Sequence, residues 1–582
     1  MRTPSASRRT TRATSATRER PWLASYPPGA PESLQPYAEQ SLFTLLTDAV
    51  DRFARNPAVA FFGNHITYQD LLKEVEQFSR ALASLGVKKG DRVGYVLPNC
   101  PQYLIAYFAT LRLGATAVGN NPLYTPRELS HQLKDAGIEV VVTLDQLYPL
   151  VAAVKDEVGL KTIIVTKLTD YMKFPLSVLA PLKFRRDAKS EGRAWPPVPA
   201  EAKVLWWPEL MKGKYEDVPV ADVDAKEDVA ALVYTGGTTG LSKGAMLTHY
   251  NMLSNLKQTA SWFTDAEAGK EAMMCVLPFF HSYGLQAVMG VGMHLAGKLI
   301  LLPRFELEMA LKAVAKEKPT FFPGVPRIYI AINESPETKK YDLASIRACL
   351  SGAAPLPVAV AEKFQEITGA RVREGYGLTE TSPVTHINPI YGKAKEGSIG
   401  LPMPDTDCKI VDLDDPNKEL PQGEEGELAV AGPQIMKGYF NSPEATDDMI
   451  KTDKNGVRWL YTGDIAKMDE EGYFSIVDRK KDMILVSGFN VYPNEVESVA
   501  AAHPGVLEAA AVAQPDERSG EVVALFVVRK DPNLTEKDVI DHTRKSLTGY
   551  KVPKRVYFKT ELPKTNVGKI LRRALREEIP KV

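Results

Sequence analysis

The chain has 582 residues, with 72 Lys+Arg against 72 Asp+Glu. Single cores stop growing near about 250–300 residues, so this length predicts several subdomains or domains. Zero net charge excludes a global field that would favour nucleic acid or an acidic surface. At 44% hydrophobic and 25% charged the composition is that of an ordinary globular protein. No uninterrupted run of about 18 apolar residues exists, which excludes a bilayer-spanning helix. Cys100, Cys275, Cys349 and Cys408 are scattered without metal-ligand spacing, as expected of core residues in a reducing compartment.

Residues 1–20 hold six arginines and many Ser/Thr but no apolar stretch, and read as a disordered basic tail. Helices and strands then alternate. In "TYQDLLKEVEQFSRALASLG", Thr67 stands three before Asp70 in a capping-box-like start. Leu71, Leu72, Val75, Phe78, Leu82 and Leu85 share one helical face, and Gly86 ends it. The β-branched runs 139–144 and 162–166 suit buried parallel strands. "YMKFPLSVLAPLKF" (171–184) reads as a covered loop, with lipid contact as the alternative, and 184–201 as a charged, proline-rich surface insertion.

"VAALVYTGG" is a further strand that runs into "YTGGTTGLSKGAMLTH" (234–249). Gly236, Gly237, Gly240 and Gly244 let the backbone turn its N–H groups toward an anion. Thr235, Thr238, Thr239 and Ser242 add hydroxyls, and Lys243 adds a point charge suited to phosphate. This is a triphosphate cradle by composition, held between a strand and a helix. A Walker A loop would place a metal-holding hydroxyl after the lysine, but Gly244 stands there, so a metal must be held elsewhere.

From about residue 397 short strands and turns replace the alternation, as in an antiparallel barrel-like subdomain. After Asp478 comes a smaller, more helical and more charged region, ending in "KTNVGKILRRALREEIP", a loop and then a basic helix.

The glycine-rich stretch closely resembles the phosphate loop of the adenylate-forming (AMP-binding) superfamily. The resemblance extends from about residue 40 over nearly the whole chain. "PFFHSYG" (278–284), "SGAAPLP" (351–357), "EGYGLTETSP" (374–383), "YTGDIAKMDEEGYFSIVDRKKDMILVSGFNVYPNEVE" (461–497) and "NVGKILRR" (566–573) follow in the family's order. The long block is most similar to bacterial long-chain fatty acid–CoA ligases. The resemblance implies two steps: a carboxylate attacks the α-phosphate of ATP, giving acyl-adenylate and pyrophosphate, and the CoA thiol then attacks the acyl carbonyl and displaces AMP.

It also implies roles, motif by motif. Lys569 is the adenylation lysine, neutralising charge in the transition state. Glu380 is the Mg2+ ligand, a hard oxygen donor. Thr379 contacts phosphate. Tyr376 stacks on adenine, with Gly377 beside it, and Gly352, Ala353 and Ala354 form a small wall. Asp464 accepts the ribose hydroxyls with Arg479 as companion. His281 gates the acyl carboxylate and the thiol. Ser487 and Gly488 line the CoA channel, and Lys481 is the hinge.

The fold implied is α/β. A large N-terminal AMP-binding domain (21–478) consists of stacked α/β subdomains plus the barrel-like subdomain (about 390–478). A small mobile α+β lid (479–582) carries Lys569. Cofactor and co-substrates are Mg2+, ATP and CoA, and the acyl partner is a fatty acid. No nucleic acid is expected. The setting is cytoplasmic, with peripheral contact at the inner membrane face and a homodimer left open. A medium-chain or aryl (coumarate-like) acid–CoA ligase and a non-catalytic acyl-binding or transport protein are the alternatives.

Overall fold

The computed structural model describes residues 19–190, 192, 195–235, 242–487, 489–516, 518–564 and 570–579. The expected helix spans Tyr68–Ser84. The Thr67 hydroxyl accepts from the Asp70 N–H, and Leu71, Val75, Phe78 and Leu82 form the buried stripe. Gly86 follows at φ +91°, a left-handed turn that suits glycine. This helix packs on Pro101–Arg112, a helix whose residues are all buried.

The principal sheet has eight strands, in the order Gly438–Tyr439, Lys243–Thr248, Val229–Thr235, Thr116–Gly119, Arg92–Val96, Val140–Leu144, Thr162–Thr166 and Val204–Trp206. Val140–Leu144 is wholly buried and parallel to both neighbours, as its β-branched run predicts. A four-stranded sheet of Ala272–Cys275, Lys298–Leu301, Pro57–Phe61 and Asn64–Thr67 lies beside it in the same large body. Another joins Ala348–Ser351, Arg371–Gly377, Val384–Ile387 and Leu401–Pro402. Asp407–Val411, Gly426–Ala431, Arg458–Met468, Ile450–Thr452 and Phe474–Arg479 form a five-stranded antiparallel sheet. A last sheet of five strands, built on the long pair Val506–Asp516 and Gly520–Arg529, carries the C-terminal body. The largest core cluster runs from Trp22 to Phe474, while the C-terminal clusters draw on residues from Ile484 onward.

The helix expected after the glycine-rich stretch is His249–Ser261, capped by Thr248, and between loop and helix runs a strand, Lys243–Thr248, that returns antiparallel along Val229–Thr235. Backbone pairing along the apolar 244–248 stretch delays the helix until an N-cap residue is reached. The stretch 171–184 is not a covered loop. Most of it enters the helix Leu176–Ser190, which also takes up the first residues of the supposed insertion.

Residues 1–18 of the basic tail lie outside the described residues. Arg20, at its end, is not part of a free tail, because its Nε lies 2.7 Å from Asp407 Oδ1 and its Nη2 3.0 Å from Oδ2. All four cysteines are buried and none is in a disulfide. Among the described residues no helix is long and apolar enough to cross a membrane.

Candidate active site

The strand Arg371–Gly377 delivers the "GYGLTE" residues. Its register with Val384–Ile387 shifts at Tyr376/Gly377. A Cβ on Gly377 would stand 1.8 Å from the Pro383 carbonyl oxygen, so the reversal closes only over glycine. The turn that follows, Thr379–Thr381, buries Glu380 to 7% exposure.

The Tyr439 phenol donates to Glu380 Oε1 at 2.5 Å. Burial, and then the charge of Glu380, push that phenol above its ordinary value, so it remains a donor. Lys243 Nζ stands 5.4 Å from the centroid of the same tyrosine ring. The strand pairing explains the meeting, since Tyr439 lies opposite Ala245, two residues beyond Lys243.

Thr379 faces the "PFFHSYG" segment, its Oγ1 3.1 Å from Ser282 Oγ. His281 Nδ1 accepts from the Tyr283 N–H at 3.4 Å. Tyr283 donates to the Leu350 carbonyl at 2.5 Å, and its ring would stand 3.0 Å from a Cβ on Gly352. The small residue at 352 is therefore set by that ring. Ala353 follows at φ +68°.

A second group lies on the antiparallel sheet. Asp464 and Arg479 are cross-strand partners, with Arg479 Nε 3.1 Å from Asp464 Oδ1. The Tyr376 phenol donates to Asp464 Oδ2, and Asp464 is 2% exposed. A cleft of about 270 Å³ opens beside them, lined by Thr462, Gly463, Arg479, Lys480 and Lys481. Lys481 feels the charges of both groups. Burial and Arg479 hold its ammonium below the ordinary lysine value, while the carboxylates of Asp482, Asp464 and Glu380 pull it back up.

Of the expected site residues, Glu380, Lys243, Thr379, Tyr376, Asp464, Arg479 and Lys481 thus converge. His281, Gly352 and Ala353 form an adjoining wall through Ser282 and Tyr283. Thr235 pairs with Lys243 at the base of the hairpin. Ser487 belongs to the C-terminal body, where its N–H donates to the Ser519 carbonyl. Gly236, Gly237, Thr238, Thr239, Gly240, Gly488 and Lys569 lie outside the described residues.

Sequence reasoning missed Tyr439. No motif marks it, and only strand pairing with the segment after the glycine-rich loop brings it to Glu380. It also missed a charged cluster in the small body. Arg572 Nη2 contacts Glu497 Oε1 at 2.8 Å and Asn494 Oδ1 at 3.0 Å, and Arg576 Nη2 meets Asp482 Oδ1 at 2.7 Å.

The residues present fit a magnesium ion. Among the described residues no group of three or more His, Cys, Asp or Glu could hold a metal. One buried, oriented carboxylate is what Mg2+ takes when substrate phosphates and waters complete its shell.

The chain belongs to the family of AMP-binding enzymes, whose pattern matches residues 46–440, with the AMP-binding enzyme C-terminal domain matching 495–569. The long-chain-fatty-acid–CoA ligase of Bacillus subtilis is 44% identical over 562 residues, 96% of this chain and 98% of that protein. The 4-coumarate–CoA ligase 1 of Arabidopsis thaliana is 34% identical over 555 residues, 93% and 92% of the two chains. Among solved structures, ATP-bound MatB from Rhodopseudomonas palustris superposes with a TM-score of 0.79 at 31% identity, over 93% of this chain and 99% of that one.

Proposed function

We propose that the chain is a long-chain fatty acid–CoA ligase, forming acyl-adenylate and pyrophosphate from a fatty acid and ATP, then acyl-CoA and AMP. The observation that carries this is near-full-length 44% identity to a long-chain ligase, against 34% to a coumarate ligase. The convergence of Glu380, Tyr376, Asp464, Arg479 and Lys243 supports it, because these are the groups a nucleotide triphosphate needs.

In this reading Asp464 accepts the ribose hydroxyls, with Arg479 holding the carboxylate in place. Tyr376 offers its face to adenine, against the small wall of Gly352 and Ala353. Lys243 and the hydroxyls of the glycine-rich loop bind the phosphates. Glu380, oriented by Tyr439, would hold Mg2+, which when bound would supply positive charge to screen the phosphates. A carboxylate oxygen of the acid bonds to the α-phosphorus as the bond to pyrophosphate breaks, and Lys569 neutralises the charge that builds there. In the second step the CoA sulfur bonds to the acyl carbonyl carbon, AMP leaves, and the thiol proton is lost. His281 stands between acid and thiol.

The large domain is assigned to 21–478 and the lid to 479–582. Lys481 is the pivot, and Ser487 and Gly488 line the thiol channel. Separate core clusters on either side support that division. The setting is cytoplasmic, with peripheral contact at the inner membrane face, and the buried cysteines, none of them in a disulfide, accord with a reducing compartment.

ATP–pyrophosphate exchange with palmitate, followed by acyl-CoA formation on adding CoA, tests the activity. No exchange overturns it in favour of a non-catalytic acyl binder. A turnover series from acetate to oleate, alongside coumarate, tests the substrate class. A maximum at octanoate or coumarate overturns the long-chain assignment.

A further inference from the structure

The helix Leu176–Ser190 is unlike the other helices of the large body. Ala180, Phe184 and Ala188 turn inward at helical spacing, with Ala180 and Phe184 packed on the main core. On the opposite face Val178, Leu179 and Leu182 are all more than half exposed, Leu182 at 71%, and Phe174 in the entry turn is 76% exposed. Singly exposed apolar residues are commonplace, but a contiguous group of them is not.

Charge on this segment is equally one-sided. Residues 173–190 carry Lys173, Lys183, Arg185, Arg186 and Lys189 against Asp187 alone, in a chain with 72 charges of each sign. The outward face is therefore divided along its length. Its first half is apolar, and its second half carries Arg185, Arg186 and Lys189. From Val178 to Lys189 the helix runs about 16 Å.

We propose that this face docks peripherally on an anionic phospholipid bilayer. Phe174, Val178, Leu179 and Leu182 enter the acyl boundary, and the basic half lies against headgroup phosphates. A bilayer meets both requirements at once, since it offers hydrocarbon below a plane of negative charge. A protein groove would need a complementary row of acids placed beside an apolar pocket. Lys183, next to Leu182, reaches the phosphates by extending its stem. The inference rests on the peripheral-contact reading above and supplies its surface. A long-chain acid partitions into bilayers, so docking places the enzyme at its substrate.

The test is co-sedimentation of the full chain with phosphatidylglycerol–phosphatidylcholine vesicles and with phosphatidylcholine vesicles. It uses the wild type, Lys183→Ala/Arg186→Ala and Leu179→Asp/Leu182→Asp. The wild type is expected to bind the anionic vesicles more tightly, and less so as salt rises. Each basic residue at such a surface contributes a factor of about five, so the double alanine variant should partition about 30-fold less. The double aspartate variant should lose binding to both vesicle types. Exchange activity with octanoate, a soluble acid, should stay at the wild-type level in both variants, which reports an intact fold. Wild-type chain that ignores the anionic vesicles overturns the peripheral reading and this surface together. Wild-type binding that neither variant weakens overturns this surface alone. Variants that bind vesicles normally but lose self-association overturn it in favour of a contact with a second copy.

Discussion

Glu374 lies two residues before Tyr376 in the strand Arg371–Gly377, yet its own carboxylate is poorly served. Among the described residues its one hydrogen bond comes from the Leu356 N–H at 3.3 Å, and it makes no ion pair. Burial therefore raises its pKa from 4.5 to about 7. The unfolded chain gives up this proton near 4.5, whereas the folded chain keeps it to about 7. Across that window the folded state binds more protons, so stability falls as pH rises, and the loss is complete above about 7. Each pH unit inside the window costs about 1.36 kcal/mol, so the wild type loses roughly 2–3 kcal/mol between about pH 5 and pH 8 through this group. Glu374→Gln keeps the shape and the acceptor but has no charge to desolvate. Its Tm should match the wild type near pH 5 and exceed it by about 2–3 °C near pH 8, since 1 kcal/mol moves the Tm of a domain this large by about 1 °C. Scanning calorimetry of both proteins across the range is the assay. A Tm difference that stays constant with pH would refute the reasoning.

Other substitutions separate the roles assigned to the site. Tyr439→Phe removes the hydrogen bond that orients Glu380, a contact to a charged group worth about 1.5–3 kcal/mol. The Mg2+ concentration for half-maximal ATP–pyrophosphate exchange should rise about tenfold or more, and an unchanged requirement would sink the role given to this pair. Lys569→Ala should lower adenylate formation by about 10²–10³ while sparing CoA attack on supplied acyl-adenylate, and equal loss in both half-reactions counts against it. Lys481→Pro should impair acyl-CoA formation more than pyrophosphate release. Parallel loss in the two assays would show that the residue is not a pivot.

The elements most legible in the sequence were those fixed by local chemistry. The capped helix Tyr68–Ser84 follows from its cap and its apolar periodicity, and the buried strand Val140–Leu144 from its β-branched run. The strand Lys243–Thr248 was not legible as such. Its partner lies across a glycine-rich loop, and only pairing with Val229–Thr235 makes it a strand. The same limit applies to the site. Glu380, Asp464 and Arg479 stand in recognisable motifs, but Tyr439 is an ordinary aromatic until the sheet lays it beside Lys243 and Glu380. The exposed face of Leu176–Ser190 was misread because apolar residues are expected to be covered, and only the three-dimensional packing shows which of them are not.

The cluster around Arg572 constrains how torque could pass through the chain. Asp482, the residue directly after Lys481, is gripped by Arg576 and lies 3.6 Å from Arg572 Nη1, while Arg572 reaches back to Glu497 and Asn494. Asp482 is 5% exposed, so added salt has little access to loosen the grip. These contacts tie Asp482 to the segment around Asn494 and Glu497 and to the helix Arg572–Glu577. A swing about the pivot proposed at Lys481 would be taken up upstream of that brace.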